Sequence, residues 1–236
     1  MDKPITTLFM LMSVDGKIST GSIDERDVDK DFPKIDGIKN GLHQYYEIER
    51  TTDLFSMDSG KVMAKVGANI KKENIEKIPV SFIIIDNKPH LNDVGVEYFI
   101  KMAKTFYLVT TNKNHPIFKY KEMENVKIIY YEKEINFIDL FNQLKCKYNI
   151  EKMTLQTGGT LNSIILRNNL IDKLSVVVAP ALIGGKDTST LIDGYSLQTS
   201  DDLKNIKALK LVDIIKLNES YINIKYDIIN ETKIIK

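Results

Sequence analysis

Two adjacent glycines, Gly158 and Gly159, lie between an apolar run, Lys152–Gln156, and a helical pattern from about Thr160 to Asn168. Without a Cβ, the backbone at such a point turns sharply and comes close to a bound molecule. The unpaired amides at the start of the helix then aim at an anion, and the helix dipole adds to the attraction. A dinucleotide pyrophosphate suits that geometry, gripped by Gly158, Gly159, Thr160 and Leu161. A plain tight turn is the other reading of the same residues. Asp15-Gly16, after the first apolar run, is also a turn signal. Asp86-Asn87 closes another apolar run, and in open α/β sheets ligands gather at the carboxyl ends of strands.

Nucleophilic and metal chemistry find little support. The chain has 1 cysteine, Cys146, which allows no internal disulfide and no cysteine-based metal site. Its surroundings read as helical, so packing is the expected role. The 3 histidines, His43, His90 and His115, show no ligand spacing and read as structural or solvated, so no metal is assigned. No Ser-His-Asp or Cys-His constellation stands out. Tyr45 and Tyr46 are suited to packing a helix, with stacking on a ring as the alternative.

The elements that would hold these residues alternate. Strands are expected at Thr7–Val14, Asp53–Met57, Val80–Asp86, Thr105–Thr110, Val126–Tyr131, Lys152–Gln156, Leu174–Ala179, Ala208–Lys216 and Tyr221–Ile229. The near-continuous apolar run Val80–Ile85 suits a strand buried on both faces. Helices are expected at Lys61–Val66, at Phe137–Tyr148 behind an Asn136 cap, and from Thr160 to Asn168 with Leu161, Ile164 and Ile165 inward. The polar stretch Ser19–Asn40 reads as a long loop with a solvated charge run. The last two strands follow each other without a helix, as in a hairpin. Together these give an α/β protein with a mostly parallel central sheet, helices on both faces and a C-terminal antiparallel hairpin.

Composition is ordinary for one globular domain: 236 residues, 43% hydrophobic, 28% charged and a net charge of +1, which lacks the basic footprint of a nucleic-acid binder. The apolar stretch Ile5–Val14 is too short to span a bilayer and runs into Asp15-Gly16-Lys17 without a small-residue cleavage pattern, so a buried strand and a cytoplasmic location are expected.

The stretch Leu155–Gly194, including Ile183-Gly184-Gly185-Lys186 and Thr190-Leu191-Ile192-Asp193-Gly194, resembles the reductase domain of the bifunctional riboflavin biosynthesis deaminase/reductase. It equally resembles the stand-alone diaminopyrimidine reductases. Met12-Ser13-Val14-Asp15-Gly16-Lys17-Ile18 is similar to the first strand and turn of the same family. The resemblance runs over about residues 5 to 229 and implies a dihydrofolate-reductase-like fold, a single reductase domain over 1–236 and a homodimer. It also implies hydride transfer from NADPH to the ribosyl C1 of a ribosylaminopyrimidine phosphate, and so orienting groups rather than a nucleophile. Ser13, Asp15 and Gln156 would then lie near the reacting rings. Ser59, Gly60, Lys61 and Asn87 would take the adenosine side, with Lys88 beside a 2′-phosphate. Several positions depart from the family pattern. Asp58 stands for a small residue, Lys61 for a threonine and Gln156 for a glutamate. Glu49 falls where an arginine is usual, and Lys65-Val66-Gly67-Ala68 replaces an acidic stretch. A reductase of another small heterocycle and a non-catalytic homologue are the alternatives these departures leave open.

Overall fold

A computed structural model of the chain describes residues 2–235. In chain order the elements are β1 Ile5–Ser13, α1 Val28–Asp31, α2 His43–Glu49, β2 Phe55–Ser59, α3 Gly60–Lys65, β3 Ser81–Ile85, α4 Asp93–Met102, β4 Phe106–Thr110, β5 Val126–Tyr130, α5 Phe137–Cys146, β6 Lys152–Leu155, α6 Gly159–Arg167, β7 Lys173–Ala179, β8 Ala208–Lys216 and β9 Ile222–Ile229. The chain divides into two compact units. The first is Asp53–Thr157 together with residues 2–4, and the second is Ile5–Thr52 together with residues 158–235.

The first unit carries five parallel strands in the order β5-β4-β3-β2-β6. Parallel sheets need cover on both faces, and alternation along β3 and β4 supplies it. Ile84, Phe106 and Leu108 turn to one face and pack with Val96, Phe99 and Ile100 of α4. Tyr107 turns to the other and meets Tyr148, just beyond α5, edge-on at 5.1 Å. In α5 the face predicted by helical spacing, Phe137, Leu140, Phe141, Leu144 and Tyr148, is fully buried at Leu140, Phe141 and Leu144 and half-buried at Phe137 and Tyr148, and Asn136 caps the start by accepting the Asp139 amide at 3.1 Å. The helix stops at Cys146, short of Tyr148, because Asn149 adopts a left-handed conformation (φ 55°) and the Tyr148 and Ile150 amides fold back onto the carbonyls of Gln143 and Leu144. Cys146 is exposed at that end rather than packed. The helix at Asp93–Met102 is not among those expected from the sequence. Its start is set by Asn92, which accepts the Gly95 amide at 3.0 Å.

In the second unit, β1 and β7 are parallel, β9 runs antiparallel to β7, and β8 antiparallel to β9. The β8–β9 turn places both Glu219 (φ 53°) and Ser220 (φ 64°) at positive φ, which matches the twist of a tight hairpin. The stretch expected as a solvated loop, Ser19–Asn40, is more structured than that. Val28, Phe32 and Ile38 are buried against Phe9, Leu11 and Val177, and Asp31 holds Thr20, Arg26 and Lys34 on the outside. Tyr45 packs rather than waiting for a ligand. It stacks on Phe9 at 5.1 Å and 3°, with Tyr46 edge-on to it. All nine residues of β8 are exposed, among them Leu209, Leu211, Val212, Ile214 and Ile215.

Candidate functional site

In the first unit, the residues expected on the adenosine side gather at the carboxyl ends of β2 and β3. Ser59 ends β2 and caps α3, its hydroxyl accepting the Val62 amide at 3.3 Å. Gly60 follows with no room for a side chain, since a Cβ there would fall 2.5 Å from both carboxylate oxygens of Asp86. Lys61 is exposed in the first turn of α3. Asn87 is exposed just past β3, and its Oδ1 accepts the Thr111 amide at 3.0 Å, tying together the loops after β3 and β4.

The organising group here is Asp86, which closes the apolar run of β3 and has no functional signature of its own in the sequence. The Asp86 carboxylate is fully buried. It takes hydrogen bonds from His90 Nδ1 (2.9 Å), the His90 amide (3.2 Å), the Leu91 amide (3.0 Å) and His115 Nε2 (3.1 Å). His115 is also buried, and its Nδ1 accepts the Ile117 amide at 3.1 Å, which leaves the proton on Nε2 to donate to Asp86. Burial pushes the Asp86 pKa up. The donors from His115, Leu91 and His90 outweigh it, so the carboxyl sits below its ordinary range. Two of the histidines are therefore drawn to one carboxylate, although 25 residues separate their numbers in the sequence. Among the described residues no group of His, Cys, Asp and Glu side chains is arranged to hold a metal ion.

Gln156 follows β6, half-buried, with its amide nitrogen bonded to the Met57 carbonyl at 2.9 Å. Ser56 Oγ lies 2.9 Å from Asp58 Oδ2 and 3.3 Å from Gln156 Oε1, so the buried Asp58 and Gln156 face one hydroxyl. A carboxylate thus stands one strand away from the position where the sequence lacks its expected glutamate.

In the second unit, Gly158 is the N-cap of α6, and Gly159 opens the helix. A Cβ on Gly159 would collide with the Thr190 carbonyl and come within 2.5 Å of Asp193 Oδ2. The loop behind the helix start is itself braced. Asp193 Oδ1 accepts the Thr190 amide (2.9 Å) and hydroxyl (2.7 Å), the Asp193 amide bonds the Gly159 carbonyl (3.0 Å), and Asn162 Nδ2 donates to the Leu191 carbonyl (2.9 Å). Among the described residues nothing accepts the amides of Gly159, Thr160 and Leu161. The inward face of α6 differs from expectation. Ile165 is buried and Leu161 half-buried, but Ile164 is exposed, while Asn162 and Ser163 are buried. The 190–194 loop packs polar groups against that side, with the Gly194 backbone close over Ser163.

Ser13 and Asp15 are spent on the local loop. The buried Ser13 hydroxyl donates to Asp15 Oδ1 (2.6 Å) and accepts the Lys17 amide (2.9 Å). Asp15 in turn accepts the amides of Ile183 (3.1 Å) and Gly184 (2.6 Å). Those bonds, Ser13 first, lower the Asp15 pKa to about 2. Lys17 Nζ closes the same loop on the carbonyls of Gly185 and Thr188. The motif Ile183-Gly184-Gly185 is therefore the partner of Asp15-Gly16-Lys17, a pairing that no local pattern announces.

The family model described as the RibD C-terminal domain matches residues 4–222. The chain belongs to this family. A 2,5-diamino-6-ribosylamino-4(3H)-pyrimidinone 5′-phosphate reductase of Methanothermobacter thermautotrophicus is 40% identical over 53 residues, 22% of this chain and 24% of that protein. Riboflavin biosynthesis protein RibD of Actinobacillus pleuropneumoniae is 23% identical over 216 residues, 90% of this chain and 54% of that protein. The solved structure of Acinetobacter baumannii RibD superposes with a TM-score of 0.67 at 17% identity, covering 96% of this chain and 58% of that one. This RibD C-terminal domain chain thus matches between a quarter and about half of the length of these curated relatives, and the structural likeness shows the dihydrofolate-reductase-like fold.

Proposed function

We propose that this chain is an NADPH-dependent reductase of the riboflavin-biosynthesis type, working as a single domain. Its substrate would be 5-amino-6-(5-phosphoribosylamino)uracil or the related diaminopyrimidinone, reduced at the ribosyl carbon to the ribityl form. The observation that carries the reading is the start of α6. Three consecutive amides, Gly159 to Leu161, have no acceptor among the described residues and follow a glycine cap. That is the donor set a pyrophosphate takes. The family match over residues 4–222 supports the reaction class.

The bound cofactor would supply the hydride, and the chain would supply position. The amides of Gly159, Thr160 and Leu161 would hold the pyrophosphate, with Gly158 leaving the approach open. In the first unit, Ser59, Gly60, Lys61 and Asn87 would hold the adenosine part, and Gln156, with Asp58 and Ser56 behind it, would hydrogen-bond the heterocycle. Ser13 and Asp15 act by fixing the loop at Ile183–Gly184 beside the substrate.

The exposed, apolar edge strand β8 is covered by a second copy of the chain, since a free apolar edge invites pairing. The working location is the cytoplasm. The test is a titration of NADPH by fluorescence followed by an NADPH oxidation assay with the phosphoribosylaminouracil. Saturable binding and substrate-dependent oxidation are expected. Absence of binding would overturn the reading, and binding without turnover of either pyrimidine would assign a different heterocycle.

A further inference from the structure

After β7 the chain runs from Pro180 to Gly194 without a helix or strand, and Gly184 and Gly185 take positive φ within it (70° and 83°). A connection this long with no element of its own is uncommon in a compact domain unless it carries function or is disordered. Here it is tied down. The Val14 amide donates to the Ala181 carbonyl (2.9 Å), Asp15 accepts the amides of Ile183 and Gly184, and Lys17 Nζ donates to the carbonyls of Gly185 and Thr188 (2.8 and 2.9 Å). Lys17 also pairs antiparallel with Thr190. The Ile18 amide bonds the Ser189 carbonyl and the Leu191 amide the Gly16 carbonyl, both at 3.0 Å. The segment is a strap that leads from the turn after β1 to the start of α6.

Asp193 closes the far end of the strap. Its Oδ1 accepts the Thr190 amide at 2.9 Å and the Thr190 hydroxyl at 2.7 Å. That hydroxyl has one proton to give, and a carboxylate at 2.7 Å competes for it better than the Ile192 carbonyl at 2.9 Å. The closed turn sets the Thr190 carbonyl and Asp193 Oδ2 against Gly159, and the Asp193 amide donates to the Gly159 carbonyl at 3.0 Å. The Gly159 carbonyl and the Thr160 amide belong to one planar trans peptide, so they point in opposite directions. A bond that fixes the carbonyl therefore aims the Thr160 N–H.

We propose that Asp193 is a positioning residue for the anion site at the start of α6. By closing the turn on Thr190 it holds the Gly159–Thr160 peptide in the orientation that presents the Thr160 amide. The inference rests on the proposed cofactor reading for the identity of that anion. Asp193 works as an acceptor rather than through its charge, because a negative charge beside the positive end of α6 opposes the pyrophosphate that the same end attracts.

The test compares Asp193→Ala with Asp193→Asn in the whole chain, by fluorescence titration with NADPH and by hydrogen exchange over residues 158–163. Asparagine keeps an oxygen to accept from Thr190 and drops the charge, whereas alanine removes both. Asp193→Ala is expected to weaken NADPH binding about tenfold, roughly the yield of the lost hydrogen bonds. It should also speed exchange at Asn162, whose amide makes the first bond of the helix to the Gly158 carbonyl. Asp193→Asn is expected to bind NADPH within about threefold of the unmodified chain, or more tightly, with exchange unchanged. This rescue is what a merely structural loss would not show, and exchange over residues 173–179 of β7 reports whether the sheet is intact. Equal weakening in the two variants, or no weakening in either, overturns the positioning role. If NADPH binds the unmodified chain and Asp193→Ala alike, the inference falls and the reductase reading stands. If the unmodified chain does not bind NADPH, the reductase reading falls, and exchange still decides: faster exchange in Asp193→Ala alone supports the role of Asp193, and equal exchange in all three proteins overturns it.

Discussion

His115 Nε2 lies 3.1 Å from Asp86 Oδ2, and both side chains are sealed from solvent. Removing the imidazole leaves a buried carboxylate short of one donor, although three others remain. His115→Leu should therefore cost about 2–4 kcal/mol, toward the lower end of the range for breaking a buried pair. Urea denaturation measures it, and an unchanged midpoint would show that the pair does not hold the loops. His90→Leu, at a partly exposed position, should cost less.

Gly159 admits no Cβ, because the Thr190 carbonyl and Asp193 already occupy that volume. Gly159→Ala should shift the start of α6 and weaken NADPH binding by about tenfold or more, with a stability loss of about 1–3 kcal/mol from overpacking. Fluorescence titration beside a thermal melt separates the two effects. Unaltered affinity would remove the helix start from the cofactor site.

Leu144 is fully buried in the apolar stripe of α5. Leu144→Asp places a carboxylate there without a partner, at a cost of at least several kcal/mol, which is comparable to a typical total stability of about 5–15 kcal/mol. Loss of the cooperative melt is expected. A melting temperature equal to that of the unmodified chain would contradict the packing described for this helix.

Acid should unfold the protein through its engaged carboxylates. Asp15 and Asp31 are both lowered from 3.8 to about 2, Asp15 by Ser13 and the loop amides and Asp31 by Thr20 and its cationic neighbours. Asp86 is lowered as well. A carboxyl whose folded pKa is depressed contributes stability above its unfolded value and loses it as the pH falls toward the folded one. Stability should therefore be flat above about pH 5 and should fall between 3.8 and about 2. Asp31→Asn should make that fall shallower. Circular dichroism against pH follows it, and equal slopes for the two proteins would refute the assignment.

The exposed face of β8 offers a separate check on the proposed dimer. Ile214 is 58% exposed and paired with Ile224 across the hairpin. Ile214→Lys should leave the melting of a monomer nearly unaffected, because a solvated substitution away from the core costs about 0.5 kcal/mol or less. If β8 is covered by a second copy, the same substitution should halve the mass measured by light scattering. A mass that does not change, whether of one chain or two, would remove β8 from the interface.

Much of the fold was legible in the chain. All nine expected strands form within two residues or so of their predicted bounds. The Asn136 cap and the Leu140–Leu144 stripe of α5 also hold, because caps and periodicity are properties of neighbouring residues. The start of α6 was legible for the same reason, since glycines declare themselves locally. The inward face of α6 was less so. Asn162 and Ser163 are buried because the 190–194 loop, not an apolar layer, packs there, and hydropathy alone favours Ile164.

The sequence by itself determined where strands and helices begin, which runs are buried on both faces, and that a glycine pair opens a helix after β6. Only the tertiary structure decided that Asp86 gathers His90 and His115, that Asp15 is committed to Ile183 and Gly184, and that Asp58 stands beside Gln156. The physical reason is range. Backbone preference and hydrophobic period act over a few consecutive residues, whereas these partnerships depend on which strands become neighbours and in what register. That is settled only when distant apolar faces are buried together.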